Sequence, residues 1–188
     1  LRTVTGVQTC ALPIYGIQKK YREKPYLIPD MKSKTMVEYK NGNVRIVDPK
    51  ITTIDGIEVN CLVVGDEYFF QYTVESDITV YDFSVGFQIK TVKGMKVAGI
   101  ALVKNDNMVI VQVNEKDRLM ARFKFRCQIL PGNYYISCGI SGKTDRDLER
   151  IHLHRIIDAL VFKVVPSDNC SIVSGIVSLD QEVAITKL

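Results

Sequence analysis

Residues 118–140, RLMARFKFRCQILPGNYYISCGI, decide the fold. Leu119, Ala121, Phe123, Phe125, Cys127 and Ile129 alternate with Met120, Arg122, Lys124, Arg126 and Gln128. A period of two puts one set on a buried face and the other in solvent, the pattern of a half-buried strand. Pro131-Gly132 then turns the chain into a second strand over 133–141. Tyr134, just past that turn, is either a tyrosine-corner residue or an ordinary core tyrosine.

The same period recurs upstream. In 66–74, Tyr68, Phe70, Tyr72 and Val74 alternate with Glu67, Phe69, Gln71 and Thr73. In 80–91, Tyr81, Phe83, Val85, Phe87 and Ile89 alternate with Asp82, Ser84, Gln88 and Lys90. Further strands are read at 43–54, closed by Asp55-Gly56, at 95–103 after Lys93-Gly94, and at 108–114, 158–165 and 174–179. Strands with one apolar face each are satisfied by two sheets packed face to face. The predicted fold is therefore all-β, an immunoglobulin-like or jelly-roll antiparallel β-sandwich. Residues 144–157, TDRDLERIHLHRII, break the period. They read as a loop with room for a short helix carrying Leu148, Ile151 and Ile156 on one side.

Residues 4–14, VTGVQTCALPI, are the in-order translation of a common short-read sequencing adapter. Residues 1–14 are accordingly read as adapter-derived and set aside from fold reasoning, and natural sequence is expected upstream of Tyr15. A signal peptide would need an apolar run that Thr5, Gly6, Gln8 and Thr9 interrupt. Residues 15–40 are basic and proline-marked (Pro25, Pro29), which reads as a linker or an arm lying on the domain. The sandwich is assigned to 41–188.

The formal charge is +4, and Arg2 is the sole charge within 1–14, which leaves +3. That is too mild to imply nucleic acid. No apolar run approaches the ~20 residues that span a bilayer, so no direct membrane insertion is expected. Of the five cysteines, Cys10 lies in the adapter segment, and Cys61, Cys127, Cys138 and Cys170 form no CxxC. They read as reduced, buried thiols in a cytosolic setting.

Catalytic and metal chemistry find little support. SCGISGKT (137–144) imitates a phosphate-binding loop, but Ser137 stands where the loop needs its first glycine. A polar β-loop is expected there. His152 and His154 would share a face on a strand, yet spacing offers no third ligand, so loop histidines are expected and no metal. The carboxylate pairs Asp145 with Asp147 and Asp66 with Glu67 have no spacing that supports a cleft, no GxSxG-like signature is present, and no cofactor and no catalytic residue is assigned.

The outward residues remain. In an immunoglobulin-like order, strand 80–91 lies beside 133–141, with 158–165 on its far side. The exposed face of that sheet then carries Asp82, Ser84, Gln88 and Lys90 beside Tyr135, Ser137 and Ser141. Such mixtures of planar rings, amides, carboxylates and hydroxyls bind sugars. The first four together with Tyr135 and Ser137 are the candidate sugar contacts. The opposite sheet offers Phe69, Gln71, Arg122, Lys124 and Arg126, a basic face suited to an anion. Residue by residue, a plain solvated exterior is favoured slightly over binding on either face, and the absence of Trp counts against sugar.

NGNVRIVD (41–48), Gly65-Asp66 before a long alternating strand, YDFSVGFQIKT (81–91), LPGNYYISCGI (130–140), DALVFKVV (158–165) and SGIVSL (174–179) occur in a characteristic order. From Asn41 to Leu179 the chain resembles the polysaccharide-binding C-terminal domain of the ATP-binding subunit of O-antigen ABC transporters, the Wzt type. The resemblance implies a β-sandwich that recognises the exported polysaccharide on the cytoplasmic side of the inner membrane. It implies a homodimer whose C-terminal strand, here within 174–188, can be exchanged between protomers; an ordinary edge strand gives the same pattern. It also implies an ATPase domain upstream of this fragment, through which a transporter permease would be the further partner. Sugar-contacting positions are not carried over, because they vary with the polymer. Two other classes stay open: an adhesion-type sandwich with a protein partner, marked by exposed apolar sheet patches, and a small hydrolase, marked by converging acids in a cleft.

Overall fold

The computed structural model describes residues 24–101, 112–167 and 174–179. Its strands are β1 (Val37–Lys40), β2 (Val44–Thr53), β3 (Cys61–Val63), β4 (Glu67–Ser76), β5 (Val80–Thr91), β6 (Lys96–Ala101), β7 (Gln112–Val113), β8 (Arg118–Arg126), β9 (Gly132–Lys143) and β10 (Ile151–Val165). They form two sheets. The larger runs β1-β10-β9-β5-β6, with β7 also on β5 and β3 on β10; the smaller runs β2-β4-β8. All pairings are antiparallel except β3 with β10. The expected order of 80–91, 133–141 and 158–165 is the observed β5-β9-β10. The strand expected at 108–114 lies mostly outside the described residues, as do Cys10 and Cys170.

The core lies where the two sheets face each other. Tyr68, Phe70, Tyr72 and Val74 project from β4, and Ile136, Cys138, Ile140 and Phe162 from β9 and β10, all buried. Phe87 bridges the layers, 5.4 Å from Phe70 and 5.0 Å from Phe123 between ring centroids. Tilted ring pairs of this kind add ~0.5–1.5 kcal/mol each beyond the area they bury. Tyr134 donates its hydroxyl to the Leu130 carbonyl at 2.7 Å, the backward bond of a tyrosine corner.

Three of the bulges in the ladders share a feature, those at Val47/Lys50 in β2, Tyr81/Ser84 in β5 and Ile156/Leu160 in β10. Each contains an aspartate with positive φ: Asp48 (53°), Asp82 (47°) and Asp158 (53°). Aspartate tolerates this region better than most side chains, which suits it to the extra residue. Each aspartate also meets a lysine: Asp48 with Lys50, Asp82 with Lys143 at 3.3 Å, and Asp158 with Lys90 at 2.8 Å.

A further irregularity, between His152 and His154, corrects the reading of 144–157. No described residue is helical, and β10 begins at Ile151. The bulges shift the burial phase twice within one strand, which hid its period of two. His152 faces solvent, whereas His154 is 1% exposed. His154 Nδ1 accepts the Ile46 N–H at 2.7 Å, so the neutral ring donates from Nε2 to Glu38 at 2.8 Å. Burial holds its pKa below the usual histidine value, against the opposing pull of Glu38.

The described part of the arm, residues 24–40, lies on the sandwich. Tyr26 pairs with Cys61, and Ile28 exchanges two hydrogen bonds with the Asn60 side chain. Residues 37–40 are the edge strand β1. At the other end, Val177 bridges Ile129 of the same chain, flanked by bonds from Leu130 N–H to Ile176 and from Ser178 N–H to Gln128.

Candidate functional site

The outer face of the larger sheet holds a shallow trough of about 230 Å³. Its floor follows from the register. Gly139 of β9 stands opposite Gly86 of β5, and Gly99 of β6 stands opposite Gln88. Side chains are missing where three adjacent strands meet, so the backbone itself is the floor. Glycine is required at two of these positions: a Cβ at Gly86 would come within 2.6 Å of the Ile100 carbonyl, and one at Gly99 within 2.7 Å of that of Phe87. Gly139 is different, since the nearest atom to an added Cβ is 3.6 Å away.

Tyr72 supports this floor from inside. Its hydroxyl accepts the Gly86 N–H at 3.1 Å and directs its proton at the carbonyls of Gly86 (3.1 Å) and Gly139 (3.2 Å). The smaller sheet is thereby fastened to the underside of the trough.

Of the six predicted contacts, Ser84, Gln88 and Ser137 line the trough together. The two serines are more enclosed than expected, at 6% and 8% exposed, and the Ser137 hydroxyl accepts the Asp158 N–H at 3.0 Å. Lys90 and Tyr135 sit one register row beyond Gln88 and Ser137. The Lys90 ammonium lies 5.9 Å from the Tyr135 ring centroid and is held by the buried Asp158. Asp82 lies beyond the opposite end, in its bulge beside Lys143.

The rim comes from residues that sequence reasoning passed over: Lys96 and Ile100 on β6, His152 and Arg155 on β10. His152 contacts Ser141 at 3.1 Å. Tyr39 of β1 stands opposite Arg155 and is 57% exposed. Directly opposed side chains share a face, so its ring extends the rim. Glycines inside predicted strands were the available signal, because they mark close approach by another backbone or a ligand.

The basic face expected on the smaller sheet is neutralised. Lys124 and Arg126 flank Glu67 at 2.8 and 3.4 Å, and Arg118 and Arg45 flank Glu75 at 3.3 and 2.8 Å. Arg122 stacks over Phe69, 4.2 Å from its centroid, and donates to Gln71. The SGK segment expected as a loop is the end of β9, where a Cβ on Gly142 would collide with Val80. Among the described residues no three His, Cys, Asp or Glu side chains are grouped to hold a metal. None of the described helices, of which there are none, is long and apolar enough to cross a membrane.

The profile of the Wzt C-terminal domain family matches residues 36–179. The chain belongs to the Wzt C-terminal domain family. Among solved structures, the crystal structure of the C-terminal domain of Wzt superposes with a TM-score of 0.69 at 18% identity, over 83% of this chain and 92% of that one. At that identity the likeness shows a shared fold. Looser likenesses carry no argument: a DNA glycosylase AlkC from Pseudomonas fluorescens (TM-score 0.40, 12% identity, 65% of this chain and 30% of that one) and the CARDB domain of PF1109 from Pyrococcus furiosus (0.37, 15%, 66% and 96%). A comparison with curated proteins found no match. The Wzt family match spans β1 to the segment 174–179, so it contains every element that builds the trough.

Proposed function

We propose that this domain is a non-catalytic polysaccharide-recognition module of an O-antigen ABC exporter and that the trough on the larger sheet is its sugar site. The observation that carries the reading is the glycine floor: a backbone surface, walled by hydroxyls, an amide and long polar side chains, open along its length. An extended polymer can lie across it without threading. At about 230 Å³ it is smaller than the ~300–1,000 Å³ clefts that enclose drug-sized ligands, which suits a single sugar unit of a longer chain. Bound this way, the glycan would be held near the transporter at raised effective concentration.

Family membership supports the surrounding assembly. A homodimer, an upstream ATPase domain, a permease partner and a place on the cytoplasmic side of the inner membrane all belong to this proposal. So does exchange of a C-terminal strand, although residues 176–178 pair within their own chain. The rival protein-binding sandwich draws on exposed Met36 and Val37 at the start of the edge strand β1. Calorimetric titration of the full chain with O-polysaccharide purified from the bacterium that encodes it is the test. Binding that Gly139→Trp abolishes, with an unchanged melting curve, is expected. Absence of binding by a folded chain contradicts the proposal.

A further inference from the structure

The two outer faces of the sandwich treat their cations differently. On the smaller sheet, Arg45, Arg118, Lys124 and Arg126 each stand within 3.4 Å of a glutamate. On the larger sheet, Lys96 and Arg155 reach the trough from opposite walls, with His152 beside Arg155. Among the described residues no acidic side chain pairs with any of the three, and no Asp or Glu lines the trough. The aspartates of β5 and β10 are already engaged, Asp82 by Lys143 and Asp158 by Lys90.

We infer that the trough selects an anionic sugar, one bearing a carboxylate or a phosphate, with Arg155 and Lys96 gripping the charge. This rests on the trough being the sugar site. The walls place two basic side chains over a floor of glycine backbone, so a charged substituent can approach without displacing an internal partner. Arg155 presents a planar fork suited to the two oxygens of a carboxylate or phosphate, and Lys96 adds a point charge from the far wall. The hydroxyls and amide of the lining remain for the neutral part of the ring. Tyr39, beside Arg155, offers its face to the adjoining sugar.

The experiment titrates the full chain with the O-polysaccharide of the encoding bacterium in three forms: intact, carboxyl-reduced and enzymatically dephosphorylated. The expected result is a loss of about tenfold or more in affinity for one treated form, which identifies the anion as carboxylate or phosphate. Arg155→Gln and Lys96→Gln should each weaken binding of the intact polymer by about tenfold and flatten its salt dependence, without shifting the melting curve. Equal binding of all three forms, still abolished by Gly139→Trp, overturns the anionic selection while leaving the sugar site standing. Binding of no form removes the sugar site itself, and the selection with it.

Discussion

Replacing Tyr72 with phenylalanine isolates the hydroxyl that fastens the smaller sheet to the trough floor. The ring fills the same space, so no large cavity opens. What disappears is one accepted bond from Gly86 N–H and one proton shared between the carbonyls of Gly86 and Gly139, at 3.1–3.2 Å. The O–H···O distances exceed the usual ~2.7–2.8 Å and the N–H···O distance lies at the long end of its ~2.7–3.2 Å range, so each belongs at the weaker end of the ~0.5–1.5 kcal/mol that a net hydrogen bond contributes. The two together give a destabilisation of about 1 kcal/mol. In urea melts the midpoint should fall by about 0.5–1 M with the slope unchanged, because the exposed area on unfolding stays the same. Tyr135→Phe, on the half-exposed outer face, should stay within about 0.5 kcal/mol. If Tyr72→Phe melts with the parent chain, the hydroxyl contributes nothing and the pinned floor is wrong.

The His154 linkage fixes a direction for pH. Its folded-state pKa is depressed by burial, so the folded chain keeps the ring neutral while the unfolded chain protonates it near 6.5. Its contribution is complete above about pH 6.5 and is lost as pH falls below that value, by at most about 1.4 kcal/mol per pH unit; denaturant melts from pH 7.5 to 5.5 should show this slope, and His154→Gln should lack it. Lys90→Met leaves the buried Asp158 carboxylate with the Thr35 hydroxyl but without its counter-charge and should cost about 3 kcal/mol, whereas Lys90→Met with Asp158→Asn should recover most of that; equal melts for the single and double variants would contradict the pairing. Burial pushes the Cys127 and Cys138 thiols up to about 12, so at pH 8 a thiol-reactive dye should label them only after denaturant is added.

Most of the sandwich was legible because strict alternation maps directly onto burial. Tyr68, Phe70, Tyr72 and Val74 lie inside as their spacing requires. The failures coincide with bulges. One extra residue inverts the phase, so the first half of β10, residues 151–157, read as a loop and helix while 158–165 read as a strand, and His154 went from an expected exposed position to the core. Asp48, Asp82 and Asp158 sit at the bulged positions, and an aspartate inside an apolar strand was the visible warning. The sheet order placed Ser84, Gln88 and Ser137 on one face correctly. It could not show that Lys90 is spent on Asp158, or that Glu67 and Glu75 cancel the basic face, because those pairings depend on cross-strand register. The trough escaped notice for a related reason: glycines have no side chain to nominate, and they form a site only when three strands bring them side by side.

The central claim is that a polysaccharide lies across the outer face of the larger sheet. Amide chemical-shift mapping of the isotope-labelled chain, titrated with oligosaccharides from the encoding bacterium's O-polysaccharide, tests it most directly. The account predicts perturbations concentrated at Gly86, Gln88, Gly99, Gly139 and Arg155, with β2, β4 and β8 quiet. Shifts confined to the face of β2, β4 and β8, or to the edge at β1, would contradict it.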